Sequence, residues 1–386
     1  MTNDTPNQDD VLVYKVMTYK SGKFAFSRKY DKNKLLDHLI RSEILYSTIK
    51  DLPILPELST RLEEEIIRKS IFGTAAIEGN LLSEEKVAQI ISDTDTTKLT
   101  ETAEKEIKNL KKAYDYFVTV KHVPGVIFKL EEDQIKEIHR IITDGLGIKD
   151  NMPGLYRSHP VFVGNREHGG VYKPPKNLAD IENLMKEFVA WLNSEEIISL
   201  DPEIRAALAH YHFALIHPFG NGNGRTARII EALILTAAGM KYMPVMLSNF
   251  YYKHIDEYFS VFSSSEQNAE NDITPFLEFV LKGVVESLNN IKDNIIYFIR
   301  IFTLRDYYAF LHKEKFITQR QYDFLIMLLE NMKTFSLSDL SNVSPFNVLY
   351  RTVSERTVRR DLHKLCDRSL LICEKDKYEL NLRVIG

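Results

Sequence analysis

The sequence predicts a mainly α-helical fold, interrupted by short β-hairpins and ending in a winged helix-turn-helix. Three observations predict it. Apolar residues recur at helical spacing along most of the 386 residues. β-Branched and aromatic residues gather around Gly in short stretches, at 11–30 and 154–175. The last 70 or so residues read as helix, short helix, longer basic helix and hairpin.

Bulk properties narrow the function classes. The length suits two or three domains, assigned here to 1–100, 101–300 and 301–386. A net charge of −4 gives no global signature for binding polyanions, so any nucleic-acid contact needs a local patch. Two cysteines, Cys366 and Cys373, are too few for a disulfide framework, and their spacing fits no zinc motif. They read as buried thiols in a reducing cytosol. The polar start MTNDTPNQDD lacks the basic and apolar regions of a signal peptide, and no apolar run is long enough to span a bilayer. The expectation is a soluble cytoplasmic protein with no membrane partner.

Residues 1–10 read as disordered. A strand pair follows at 11–30, and a helix from about Asp31 runs to the break LPILPEL at 52–58. An amphipathic helix is expected from an N-cap at Ser59 to Ile77, closed by Gly79-Asn80. Helices are expected at 101–120 and 132–146, a hairpin at 154–175, and a helix at 177–193. Asp201-Pro202-Glu203 signals a helix start, with Asp as cap, that runs to Ile216. After a glycine-rich loop, helices are expected from Arg225 to Gly239, at 248–262, and at 273–300. The C-terminal pattern places helices at 318–331, 337–343 and 354–371, and a strand–turn–strand at 371–381.

The chemistry gathers in HPFGNGNGRTAR, residues 217–228. A helix delivers His217 to its C-terminal end. Glycines then let backbone N–H groups turn toward an anion. The next helix N-terminus adds unpaired donors and a positive dipole. Arg225 and Arg228, three residues apart, can reach the same anion. A histidine beside such a nest is placed to take a proton from an incoming hydroxyl. Together these parts suit attack on a bound polyphosphate.

The segment resembles the Fic motif, HxFx(D/E)GNGRxxR. His217, Phe219, Gly222, Asn223, Gly224, Arg225 and Arg228 match it. The resemblance extends over about residues 60–295. It implies a helical Fic core with a β-hairpin flap, and transfer of AMP from ATP to a hydroxyl of a target protein. In that reading His217 is the general base and Phe219 anchors the loop. The 222–225 backbone forms the anion hole, with Arg225 on the phosphates. Asn223 orients the α-phosphate and loop, and Arg228 pairs with the γ-phosphate. Flap residues Val161 and Val163 receive the target as an added strand, and Tyr258 is the candidate for the adenine. One position departs from the pattern. Asn221 stands where the family has Asp or Glu on Mg²⁺, and a neutral amide is a weaker ligand for a hard cation. Weaker Mg²⁺ binding is expected.

Thr74-Ala75-Ala76-Ile77-Glu78-Gly79 resembles the family's inhibitory motif (S/T)xxxE(G/N). Thr74 and Glu78 share a helix face. The resemblance implies that Glu78 pairs with Arg228 and displaces the γ-phosphate, and that the same glutamate can support AMP removal. The C-terminal segment 350–368 carries Arg351, Arg356, Arg359, Arg360, Lys364 and Arg368 against Glu355, Asp361 and Asp367. DNA and protein docking are both open for this module, and a homodimer is also open. Two other functions compete: transfer of another phosphate-containing group on the same fold, and a DNA-binding regulator with a weakened Fic core.

Overall fold

The computed structural model describes residues 12–93, 101–119, 123, 126–165, 167, 169–331 and 334–385. The expectation for residues 1–10 lies outside them. Cα packing separates two compact units: residues up to Asp51 with Leu55–Lys292, and Leu52–Ile54 with Asp293–Gly386.

The first unit opens with an antiparallel hairpin of β1 (Val13–Met17) and β2 (Lys23–Ser27), paired from Val13↔Ser27 to Met17↔Lys23. Phe26 is fully buried against Phe188 and Trp191. The hairpin tip is held by Asp180, whose carboxylate accepts from the Tyr19 and Lys20 N–H groups and the Ser21 hydroxyl. Helix α1 (Lys32–Asp51) follows, then α2 (Pro56–Ile77). The second helix begins at Pro56, not after Ser59, because proline suits a first turn that needs no N–H partner. Ser59 lies inside the helix, its hydroxyl 2.7 Å from that of Tyr242.

Next come α3 (Glu84–Ser92), α4 (Thr102–Val118) and α5 (Glu132–Thr143). The hairpin expected over 154–175 is confined to β3 (Val163–Asn165) and β4 (Gly170–Tyr172). Residues before it bond elsewhere: the Arg157 N–H donates to the Pro218 carbonyl at 2.9 Å. Helices α6 (Leu178–Leu192) and α7 (Glu195–Ile198) lead to α8 (Pro202–Ile216). The Asp201 side chain makes no capping hydrogen bond, so Pro202 and Glu203 carry that start signal.

Helices α8 and α9 (Asn223–Ala237) form the centre of the unit and are buried along almost their whole length. The 217–222 loop joins them. Beyond lie α10 (Met243–Lys253), α11 (Ile255–Glu266) and α12 (Thr274–Lys313). The single helix expected at 248–262 is therefore two, meeting at His254. The helix expected to end near 300 continues to Lys313, with no Gly or Pro after Gly283 to stop it. Helix α2 lies directly on α10. A Cβ at Gly73 would come within 2.9 Å of the Ser248 carbonyl oxygen, so glycine permits this approach. Thr74 follows directly, and Glu78 caps the helix five residues on.

The second unit contains α13 (Gln319–Asn331), β5 (Phe335–Ser336), α14 (Leu337–Asn342), α15 (Asn347–Tyr350), α16 (Glu355–Asp367), β6 (Leu371–Glu374) and β7 (Lys377–Leu380). The antiparallel sheet runs in the order β5-β7-β6. Phe324 lies at its core, meeting Phe335 and Tyr350 edge-on. Helix α16 buries Val358, Leu362 and Leu365 against this core. The expectation of two buried thiols is corrected. Cys366 and Cys373 are joined as a disulfide with Cα atoms 6.3 Å apart, and Cys373 is exposed. The turn between α16 and β6 folds the two positions together. Among the described residues no helix is long and apolar enough to cross a membrane.

Candidate active site

The 217–222 loop is held from inside. Asn223 accepts from the Phe219 N–H at 2.9 Å and donates to the Phe219 carbonyl at 2.8 Å, closing the loop on itself. The amide thus clasps the loop with its oxygen and one of its two N–H donors. Phe219 is fully buried and stacks on His139, with centroids 3.6 Å apart and planes at 1°. Nδ1 of His139 accepts from the Gly154 N–H at 2.9 Å. Its Nε2 lies 2.9 Å from the Asn221 carbonyl, which can only accept, so the proton sits on Nε2. Burial pushes its pKa down to about 4, in keeping with a neutral ring. Arg157 completes the hold, donating to the carbonyls of His217 at 2.8 Å and Pro175 at 2.7 Å and so tying the loop to the base of the flap.

These contacts predict a test. His139→Ala should cost about 3 kcal/mol in urea unfolding, as expected for deleting a buried ring. His139→Phe keeps the stack but orphans an N–H and a carbonyl, and should cost about 1–2 kcal/mol. Equal losses for both variants would refute the hydrogen-bonding role.

His217 ends α8 in the left-handed region, at φ 49°, and Pro218 stops the helix there. Its Nδ1 lies 3.2 Å from the Ala214 carbonyl, so Nδ1 carries the proton and Nε2 a lone pair. Burial pushes its pKa down to about 4. The Ala214 bond opposes that shift, Arg157 adds to it, and Glu78 opposes it.

The N-terminus of α9 follows, with Gly222 as a cap that has no side chain to take its first N–H groups. The Glu78 carboxylate lies over this end. A Cβ at Gly224 would meet Glu78 Oε1 at 2.3 Å, so only glycine leaves room for it. The same oxygen accepts from Arg228 at 2.7 Å. Arg228 is almost fully buried and also donates to the Thr74 hydroxyl at 2.7 Å and the Thr74 carbonyl at 3.2 Å. Burial alone would push the Glu78 carboxyl up. The charges of Arg228 and Arg225 and the Arg228 hydrogen bond outweigh it and hold the pKa below the usual carboxylate value.

Arg225 is engaged in the same way. It forms an ion pair with Glu106 of α4 and donates to the Asn221 side-chain carbonyl. Glu106 also accepts from Asn80, just past the end of α2, at 2.8 Å. Both motif arginines therefore face carboxylates from elements earlier in the chain. Sequence reading missed Glu106, Arg157 and His139. Only His139 left a local signal, as a polar residue within the apolar stripe Ile135, Ile138 and Ile142.

Two other candidate residues are committed to partners within the protein. Tyr258 is not an open platform for adenine. It is 5% exposed, its ring stacks on Tyr251, and its hydroxyl lies 2.8 Å from His210. The Asn221 carbonyl oxygen, expected to face a metal, accepts from Arg225 instead. No cluster of three His, Cys, Asp or Glu residues suited to a metal occurs among the described residues. This donor set does not fit a cation held by protein side chains.

Val163 pairs with Tyr172 in the flap, whereas Val161 precedes the strand. The Gly169 carbonyl near the flap tip accepts from Gln267 at 2.6 Å, so the flap is fastened beside α11. Between them lies a cavity of about 250 Å³ bounded by Val163, Tyr172, Phe259, Phe262, Ser263 and Glu266.

A helical pair joined by an Asn-clasped loop, with a histidine before it and two arginines after it, defines the Fic class of fold. Residues 129–235 match the Fic/DOC family model, so this segment is a Fic domain. It is 31% identical over 230 residues to the protein adenylyltransferase Fic of Drosophila ananassae, a match covering 59% of this chain and 42% of the relative. The enzyme of the same name from Aedes aegypti is 31% identical over 224 residues, covering 57% and 40%. The chain thus spans about two-fifths of the length of these curated relatives. A Fic family protein from Desulfovibrio desulfuricans G20 superposes with a TM-score of 0.55 at 20% identity, covering 90% of this chain and 96% of that one. A Fic domain containing signaling protein from Bacteroides thetaiotaomicron VPI-5482 gives 0.53 at 25% identity, covering 65% and 95%.

Proposed function

We propose that this chain is an autoinhibited protein AMP transferase that uses ATP to modify a hydroxyl of a target protein or of itself. The observation that carries the proposal is the unprotonated Nε2 of His217, set by the Nδ1 bond to Ala214, beside a helix N-terminus flanked by Arg225 and Arg228. In the reaction, Nε2 takes the hydroxyl proton as the oxygen bonds to the α-phosphorus. The bond from that phosphorus to the bridging oxygen of the β-phosphate breaks, and pyrophosphate leaves with the electron pair. The N–H groups at the start of α9 and the two guanidiniums stabilise the charge on the phosphates. At the motif position where the resemblance calls for an acid, a divalent cation would find only the neutral Asn221 amide, already bonded to Arg225.

The cavity beside the flap supports a base site in place of Tyr258. Tyr172, Phe259 and Phe262 offer apolar walls for a flat ring. Glu266 adds a half-buried carboxylate, which burial pushes up from its usual pKa. As a carboxylate it accepts from an exocyclic amine such as that of adenine and repels the carbonyl that uracil presents instead. In the resting state Glu78 holds Arg228 and Glu106 holds Arg225, so a triphosphate must displace both carboxylates to reach the arginines.

The test is incubation with ATP labelled at the α- or γ-phosphate, together with a mixed ATP and UTP reaction read by mass spectrometry. Label retained only from the α position, with AMP exceeding UMP, is the expected result. Retention of γ-label would replace AMP transfer with phosphate transfer.

A further inference from the structure

We infer that the outward face of α16 is a binding surface for double-stranded DNA, separate from the nucleotide site. The element order α13, β5, α14, α15, α16, β6, β7 and the strand order β5-β7-β6 place two short helices before a longer one, with a hairpin after it. That is the arrangement in which a helix is presented to a groove.

The charges on α16 decide what the helix would meet. Each of its acidic residues has a side-chain partner. Asp361 is buried and paired with Arg320 at 2.6 Å. Glu355 is held by Arg359 at 2.6 Å, and Asp367 by His363 at 2.6 Å. Arg356, Arg360 and Lys364 remain. All three are exposed, and none has an ion-pair partner among the described residues. They are spaced i, i+4 and i+8, so they form one stripe about 12 Å long, opposite the side carrying Val358, Leu362 and Leu365. A helix about 10–12 Å across fits the major groove of B-form DNA, about 12 Å wide, and three cations on its outer face would meet phosphates there. The deep, narrow major groove of duplex RNA does not admit it. A patch on one module also explains how a chain of net charge −4 could bind a polyanion.

The test is fluorescence anisotropy of the full chain with a labelled mixed-sequence DNA duplex, titrated from 50 to 200 mM salt. Binding should weaken with salt. Replacing Arg356, Arg360 and Lys364 together by Ala, a strong helix former, should keep the circular dichroism spectrum. It should also lower the log–log salt slope by about 0.9 for each phosphate that is no longer neutralised. Absence of binding at 50 mM salt would overturn the inference. So would an unchanged slope in the folded triple variant, or equal affinity for an RNA duplex of the same sequence.

Discussion

Glu78→Gly should raise incorporation of α-labelled AMP by roughly tenfold to a hundredfold, the range expected when a charge-assisted hydrogen bond of about 1.5–3 kcal/mol no longer competes with a phosphate. The reason lies in what Glu78 does to Arg228. The guanidinium is almost wholly buried, and its two anchors on Thr74 survive the substitution. The arginine therefore stays in place but is freed of the carboxylate that occupies its third hydrogen bond. The space above Gly224, now filled by Glu78 Oε1, opens to an incoming phosphate. The substitution should cost little stability. Glu78 caps the C-terminal end of α2, where a negative charge opposes the helix dipole and glycine is well tolerated. Glu78→Gln keeps the shape but removes the charge, so its rate should fall between the two. No gain in a Glu78→Gly protein that unfolds at the wild-type urea midpoint and still binds ATP would refute the inhibitory role.

What the sequence disclosed divides along the range of the interactions. The loop and its flanking helix ends were legible because glycine, proline and asparagine act on their own backbone within a few residues. The partners of the two arginines were only half legible. Glu78 could be matched through a motif, whereas Glu106 reaches Arg225 across 119 positions with no local pattern around it. His139 likewise meets Asn221 across 82 positions. Composition misled in the stretch 154–162. Its β-forming residues suggested strand pairing, yet its backbone and Arg157 are committed to the loop after α8. Tyr258 shows the same limit in another form. Its place after the motif suggested a ligand contact, but burial is a tertiary property, and the ring is absorbed by Tyr251 and His210.

His217→Ala should lower AMP transfer by roughly 10²–10⁴-fold, the range for losing a positioned general base, while ATP binding persists through the arginines and the α9 N-terminus. The pH dependence gives a second and more specific reading. A base works only when unprotonated. Burial has moved His217 down to about 4, so the neutral form already dominates well below neutrality. The logarithm of kcat/KM should therefore stay level from pH 7 to about pH 5 and bend downward only as the pH falls through about 4. An unperturbed imidazole would instead lose half of its active form at about 6.5. Glu78 favours the protonated ring, so its removal should shift the acidic limb to lower pH as well as raise the plateau. A limb centred near 6.5 in the Glu78→Gly protein would mean that the imidazole is solvated rather than buried. A His217→Ala variant as active as the parent would assign the proton transfer to another group.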